Sequence, residues 1–353
     1  MKPVRPAVVI AVALICVAGG LAVGYVLRGP SGAGVGGPRV LSVTAAGTLN
    51  TLFPEVGQAL ANDTPGVAAP AASEQFEGSL AALSAISTLH EPYDVAAAAD
   101  FRLIPQLLEP GYATWEVVFA TTPEVLCYDP TLSALSGINE TNWASKIVQP
   151  GILLGVANQS TDPNGYNGIF VLELEGKILN GSLSGLYGHF YTTPVGALAE
   201  PSSSTTRVEP ETQVATLLST HIVSAFITYR SYAVSHRLAY VALDPRVGLG
   251  STNSSNIAGY AAASTRILTS NGTSLVTGAP VLFAVTVPSN APDANLGEQF
   301  VQFLFSPAGS ALIAANGFGA VTPGWTDAPS RLPLSLSPDV LALPTSLQSM
   351  LVP

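Results

Sequence analysis

The sequence predicts an α/β protein of one or two lobes, beginning with a lobe built on a largely parallel sheet. Three observations carry that expectation. The chain has 353 residues and is 48% hydrophobic, enough for one large or two medium cores. Apolar runs of strand length alternate with stripes of helical spacing. The pairs Gly47-Thr48 and Gly78-Ser79 each separate a preceding segment from a helical stripe.

The first element is an uncharged run from Ala7 to Leu27. At ~1.5 Å per residue its length matches a hydrocarbon core of roughly 30 Å. Lys2 and Arg5 precede it, which orients the N-terminus to the cytoplasm and the rest outside. Residues 1–28 therefore read as an N-terminal transmembrane anchor holding the protein on the extracytoplasmic face of the membrane through residues 7–27. A cleaved signal segment, giving a secreted protein, is the competing reading. Ile15 before Cys16 does not fit a lipoprotein site, and Cys127 reads as a small buried hydrophobe. Residues 29–38, rich in Gly, Pro and Ser, read as a flexible linker.

Val40 to Ala45 is a strand candidate, and Leu49, Leu52, Phe53, Val56 and Leu60 then trace a helix with Thr48 at its N-cap. Ser79 takes the same place before Leu80, Leu83 and Ile86, and a strand is expected over Tyr93 to Asp100. Trp115–Ala120 and Val125–Tyr128 read as strands where the chain enters a second lobe. Val214, Leu217, Leu218, Ile222, Ala225 and Phe226 suggest a long helix, Val281–Val287 a return strand, and Leu296 to Leu304 a further helix. The resulting division is 39–120 plus 281–325 for lobe 1, 121–280 for lobe 2, and 326–353 for a C-terminal tail of little pattern. The stretch from Glu173 to Pro210 has no clear periodicity.

Charge narrows the function. Only 10% of residues are charged, and 23 acids against 13 bases give a net charge of -10. Nucleic-acid binding needs clustered Lys and Arg, and there is no such cluster. There is no P-loop, G-x-S-x-G elbow, H-E-x-x-H or paired-cysteine zinc motif, so neither an enzyme nor a cofactor is expected. His90, His189, His221 and His236 lack ligand spacing, and Glu173 with Glu175 reads as a solvated pair. What the chain offers is hydroxyls and backbone amides at helix starts, which can hold a tetrahedral anion without lysine.

Three blocks resemble the archaeal tungstate/molybdate-binding protein family. They are YDVAAAADFRLIPQLLEP from Tyr93, continued by Trp115–Phe119 and Asn142-Trp143; Thr161-Asp162-Pro163-Asn164-Gly165-Tyr166; and Tyr229-Arg230-Ser231 with Ala233, His236, Leu238, Tyr240, Val241 and Leu243. The resemblance spans roughly residues 40 to 325. It implies a two-lobed type II periplasmic-binding-protein fold, the extracytoplasmic receptor of an ABC importer, with a cognate permease and ATPase as partners. It also implies ligand contacts from Thr48, Ser79, Asp162, Thr228 and Tyr229, with Asp162 coordinating the tungsten or molybdenum of the bound oxyanion. Two positions depart from the family: Thr228 stands where it has a metal-coordinating Glu, and Asn167 where it has an Arg. If Asp162 turned away to cap a helix, sulfate would become more credible, and a receptor of the same fold for sulfate or another solute is one alternative. A surface sensor or adhesive module that keeps the fold without transport is the remaining alternative, and six Asn-x-Ser/Thr sites suit an external surface.

Overall fold

The computed structural model describes residues 39–68, 74–269 and 272–351. The expected anchor at 7–27 and linker at 29–38 lie outside the described residues. Among the described residues, no helix is long and apolar enough to cross a membrane.

Sixteen strands run in chain order among the described residues. The first eight are β1 (Arg39–Val40), β2 (Val43–Ala46), β3 (Val67–Ala68), β4 (Glu74–Glu77), β5 (Val95–Ala98), β6 (Val117–Thr121), β7 (Glu124–Tyr128) and β8 (Leu154–Val156). The remainder are β9 (Thr206–Val208), β10 (Ala225–Tyr229), β11 (Tyr240–Ala242), β12 (Ser264–Thr269), β13 (Gly272–Thr277), β14 (Leu282–Thr286), β15 (Gly319–Thr326) and β16 (Val340–Ala342).

Two sheets organise the chain. A seven-stranded sheet has the order β16-β15-β6-β14-β5-β2-β4, and a five-stranded sheet the order β11-β7-β10-β8-β9. Both are mixed, which corrects the largely parallel expectation. β4, β2 and β5 are parallel, as helical crossovers require, but β14 returns antiparallel between β5 and β6. In the smaller sheet β10, β8 and β9 are parallel while β7 and β11 run against their neighbours. The chain passes from β6 in one sheet to β7 in the other across Thr122 and Pro123.

The central strands explain the sequence pattern. β5 and β14 are buried along their whole length, so Val95–Ala98 and Leu282–Val285 read as continuous apolar runs without alternation. The helical stripe after β2 folds as Leu52–Asp63, with Leu52, Phe53, Val56 and Leu60 in the core. Asp94 of the first resemblance block is structural. Its carboxylate accepts from Ser42 N and Ser42 Oγ, each at 2.7 Å, and from Asp293 N at 2.6 Å, tying the start of β5 to two other segments.

Three further expectations change. The long helix over 214–226 is a short helix, Val214–Ser219, followed by β10. His221 adopts a left-handed backbone with φ of 58° that ends the helical path. Ala225 and Phe226 thus belong to a fully buried strand, which periodicity alone does not separate from a helix face. The long helix lies instead at Pro163–Asn180. Glu173 and Glu175 sit on it, buried rather than solvated. Glu173 Oε2 accepts from Ser264 N at 2.9 Å, and burial pushes its pKa up to about 8. In the tail, β16 pairs parallel with β15 at the sheet edge, and Leu343 and Leu347 are buried.

Candidate functional site

The predicted site residues lie at the carboxyl ends of parallel strands, where open α/β sheets leave amides and side chains for ligands. In the larger sheet, β2 leads into the 3-10 turn Gly47–Leu49, β4 into Gly78 and the helix Ser79–Ser87, and β5 into Ala99 and Asp100. In the smaller sheet, β9 leads into the 3-10 turn Glu211–Gln213 and β10 ends on Thr228 and Tyr229. Asp162 follows β8 and caps the helix Pro163–Asn180.

The two sets meet directly. Leu80 N, on the helix after Gly78, donates to Thr161 O at 3.2 Å. A Cβ at Gly78 would lie 2.3 Å from Thr161 O and 3.1 Å from Asp162 Cβ, so only glycine permits this approach. One at Gly47 would lie 2.8 Å from Thr212 Cγ2, beside Glu211.

Neither Thr48 nor Ser79 acts as the expected N-cap. The helix after β2 starts beyond Thr51, and Thr48 is buried in the preceding turn. Its Oγ1 donates to Glu211 Oε2 at 3.0 Å, with Oε1 at 3.2 Å. Ser79 is the first residue of its helix, and its Oγ accepts from Ala99 N at 3.0 Å. That bond leaves the hydroxyl proton free to donate.

Glu211 is the residue the sequence reading missed. It is almost fully buried and also accepts from Thr228 Oγ1 at 2.8 Å. A hydroxyl from each sheet therefore converges on one carboxylate. Burial raises the Glu211 pKa well above the ordinary value and the nearby Asp162 charge raises it further, while the two threonine hydroxyls lower it. Glu124, paired in register with Tyr229, is a second unforeseen acid. Its Oε2 accepts from Asn164 Nδ2 at 3.2 Å, and its Oε1 has no donor among the described residues. Burial raises its pKa well above the ordinary value, with Glu211 and then Asp162 adding to the effect.

Asp162 caps its helix, Oδ1 accepting from Asn164 N at 3.0 Å, and its charge is felt at Glu211 and Glu124. Its pKa rises to about 6 through burial, which the Asn164 amide partly opposes. Tyr229 is buried, and its OH accepts from Asn167 Nδ2 at 3.3 Å. Asn167 is thus bonded within the group. Arg102, also buried, is committed to Asp100, with Nη2 to Oδ2 at 2.6 Å and Nε to Oδ1 at 2.9 Å. Tyr166 OH donates to the same carboxylate at 2.7 Å. The group thus combines hydroxyl and amide donors with three carboxylates.

No ordinary signal marks Glu211. It lies in the polar Pro201–Pro210 neighbourhood without periodicity, and only the fold brings it to Thr48. Glu124 was the more legible of the two, a charged residue opening an otherwise apolar strand.

Residues 41–319 match the family described as bacterial extracellular solute-binding protein. The chain belongs to this family. A solute-binding protein of Petrotoga mobilis is 28% identical over 280 residues, covering 79% of this chain and 83% of that one. The molybdate/tungstate-binding protein WtpA of Thermococcus kodakarensis is 26% identical over 254 residues, covering 69% and 71%. Among solved structures, the periplasmic molybdate-binding protein of Azotobacter vinelandii aligns with a TM-score of 0.54 and 14% identity, over 79% of this chain and 98% of that one. That likeness shows a mixed α/β, periplasmic-binding-type fold. As an extracellular solute-binding protein, the chain is a receptor of the ABC-transport type rather than an enzyme, with an extracytoplasmic place of work.

Proposed function

We propose that this solute-binding protein captures a tetrahedral oxyanion, tungstate or molybdate first, between the two sheets and delivers it to a cognate permease and ATPase. The observation that carries the reading is the convergence of the Thr48 and Thr228 hydroxyls on Glu211, within the field of Asp162, with Gly78, the residue before Ser79, packed against Thr161 and Asp162. In this reading Ser79 donates to an oxo group, Asp162 and Glu211 bind the metal, and Thr48 and Thr228, whose single hydroxyl protons go to Glu211, hold that carboxylate at the ligand. Tyr229 braces the wall through Asn167. The names of the WtpA relatives support the ligand class.

Glu211 bears on the departure at position 228. Threonine there has no carboxylate of its own, but its hydroxyl holds the Glu211 carboxylate at 2.8 Å, so a second acid is present by another route. Electrostatics then favours an oxyanion whose central atom accepts more oxygen ligands. An ionised carboxylate beside a dianion is repelled by about 4 kcal/mol per unit-charge pair at 4 Å and an effective dielectric of 20. Bonding to tungsten or molybdenum offsets that repulsion, whereas the sulfur of sulfate takes no further oxygen ligand. Asp162 caps its helix while its charge still acts on Glu211, so capping does not by itself argue for sulfate.

Titration calorimetry of the full chain with tungstate, molybdate, sulfate and phosphate tests the proposal. Binding of tungstate or molybdate with weak or no sulfate binding is expected. No heat with any of the four anions would end the oxyanion reading.

A further inference from the structure

A second group of carboxylates lies outside the proposed ligand site, at the neighbouring strands β6 and β15. Glu116 immediately precedes β6, Asp327 immediately follows β15, and Glu109 enters from the turn after the helix Leu103–Leu107. One oxygen from each lies within 4.8 Å of the others. Glu116 is fully buried. Its Oε1 accepts from Asp327 N at 3.2 Å, but among the described residues its Oε2 meets no donor, and neither does Glu109 Oε1 or Asp327 Oδ1. Arg331 Nη1 reaches only Glu109 Oε2, at 3.1 Å. Three carboxylates against one guanidinium leave a charge of -2 when all are ionised.

Buried carboxylate oxygens are ordinarily answered by donors or by a metal. Here the donors run out while three oxygens converge. We propose that Glu109, Glu116 and Asp327 form a binding site for a hard divalent cation, Ca²⁺ in the first instance, which fastens the C-terminal segment to the larger sheet. An all-oxygen, acid-rich set suits Ca²⁺, which takes 6–8 oxygen ligands in flexible geometry, with water completing the shell. The absence of nitrogen or sulfur ligands argues against zinc. The cation's charge also matches the residual -2.

The consequence lies in the chain's last segment. Asp327 begins the stretch that carries Arg331, pairs β16 against β15 and buries Leu343 and Leu347. A cation shared with Glu116 and Glu109 ties that stretch to β6 and to the turn after Leu107. The competing answer to the same geometry is a proton shared among the acids.

The test uses the full chain, stripped with EGTA and titrated with CaCl₂ at constant ionic strength and pH 7.5. At Ca²⁺ a hundredfold above its Kd, the melting temperature should rise by about 3–8 °C. The rise should disappear in Glu116→Gln and in Asp327→Asn, while both variants keep the wild-type response to tungstate. If Glu116→Gln fails to fold, Asp327→Asn carries the same comparison from a less buried position. No rise in the wild-type chain overturns the proposal and leaves the shared proton, as does a rise that survives Asp327→Asn.

Discussion

The carboxylates between the sheets and those beside the C-terminal strand meet the same burial penalty with different donors. Between the sheets, Glu211 receives two threonine hydroxyls and Glu124 an asparagine amide. Beside the C-terminal strand, the donors are one arginine and one backbone amide, and an oxygen of each of the three acids is left unanswered. Hydroxyls hold a carboxylate in place without cancelling its charge, so the first group stays available to an electrophilic centre. A guanidinium neutralises one acid and leaves the others in need of a cation. Which neutral or charged donors surround an acid thus distinguishes the two groups more than the acids themselves do.

The largest expected effect is at Asp162. Asparagine caps a helix about as well as aspartate, so Asp162→Asn keeps the fold while removing the charge. Tungstate affinity should fall by about 100-fold, the scale of ~3 kcal/mol for a lost buried charged contact, measured by calorimetry. Unchanged affinity would show that Asp162 serves only as a cap. Gly78→Ala should come next. Its new methyl would collide with Thr161 O, and an overpacking cost of ~1–3 kcal/mol where the two sheets meet should appear as a lower melting temperature together with weaker tungstate binding. Thr228→Val removes one Glu211 donor. A stability loss of ~1–3 kcal/mol is expected from chemical denaturation, together with weaker tungstate binding.

A further expectation concerns pH and sharpens the comparison. Glu116, raised to about 9, and Glu173, raised to about 8, bind protons more tightly in the folded than in the unfolded chain. Their favourable contribution is complete below the ordinary carboxyl range near 4.5 and is lost as pH rises toward those folded values. Calcium-free protein should therefore lose stability between about pH 4.5 and 9, and Glu173→Gln should flatten that slope. A slope of the opposite sign would show that these acids are ionised at low cost in the folded state.

Much of the architecture was legible because burial wrote itself into the sequence. The alanine run of β5, the stripe from Leu52 to Leu60 and the glycines before Thr48 and Ser79 all fall where their patterns indicate. The failures have physical causes. Ala225–Tyr229 is buried on both faces and so carries no alternation, while the left-handed His221 that separates it from the preceding helix is not a glycine. Glu173 looks like a surface acid until Ser264 N is brought to it across 91 positions of sequence. Glu211 is the sharpest case: its meaning comes from Thr48, 163 positions away, and from Thr228 on another strand.

The central claim, that Asp162 and Glu211 together select an oxyanion able to expand its shell, is tested most directly by X-ray absorption at the tungsten edge of the tungstate complex. The account predicts four short oxo neighbours plus two longer oxygen neighbours, with one of the longer pair lost in Glu211→Gln. A spectrum of four equivalent oxygens in the wild-type complex, unchanged by that substitution, would contradict it.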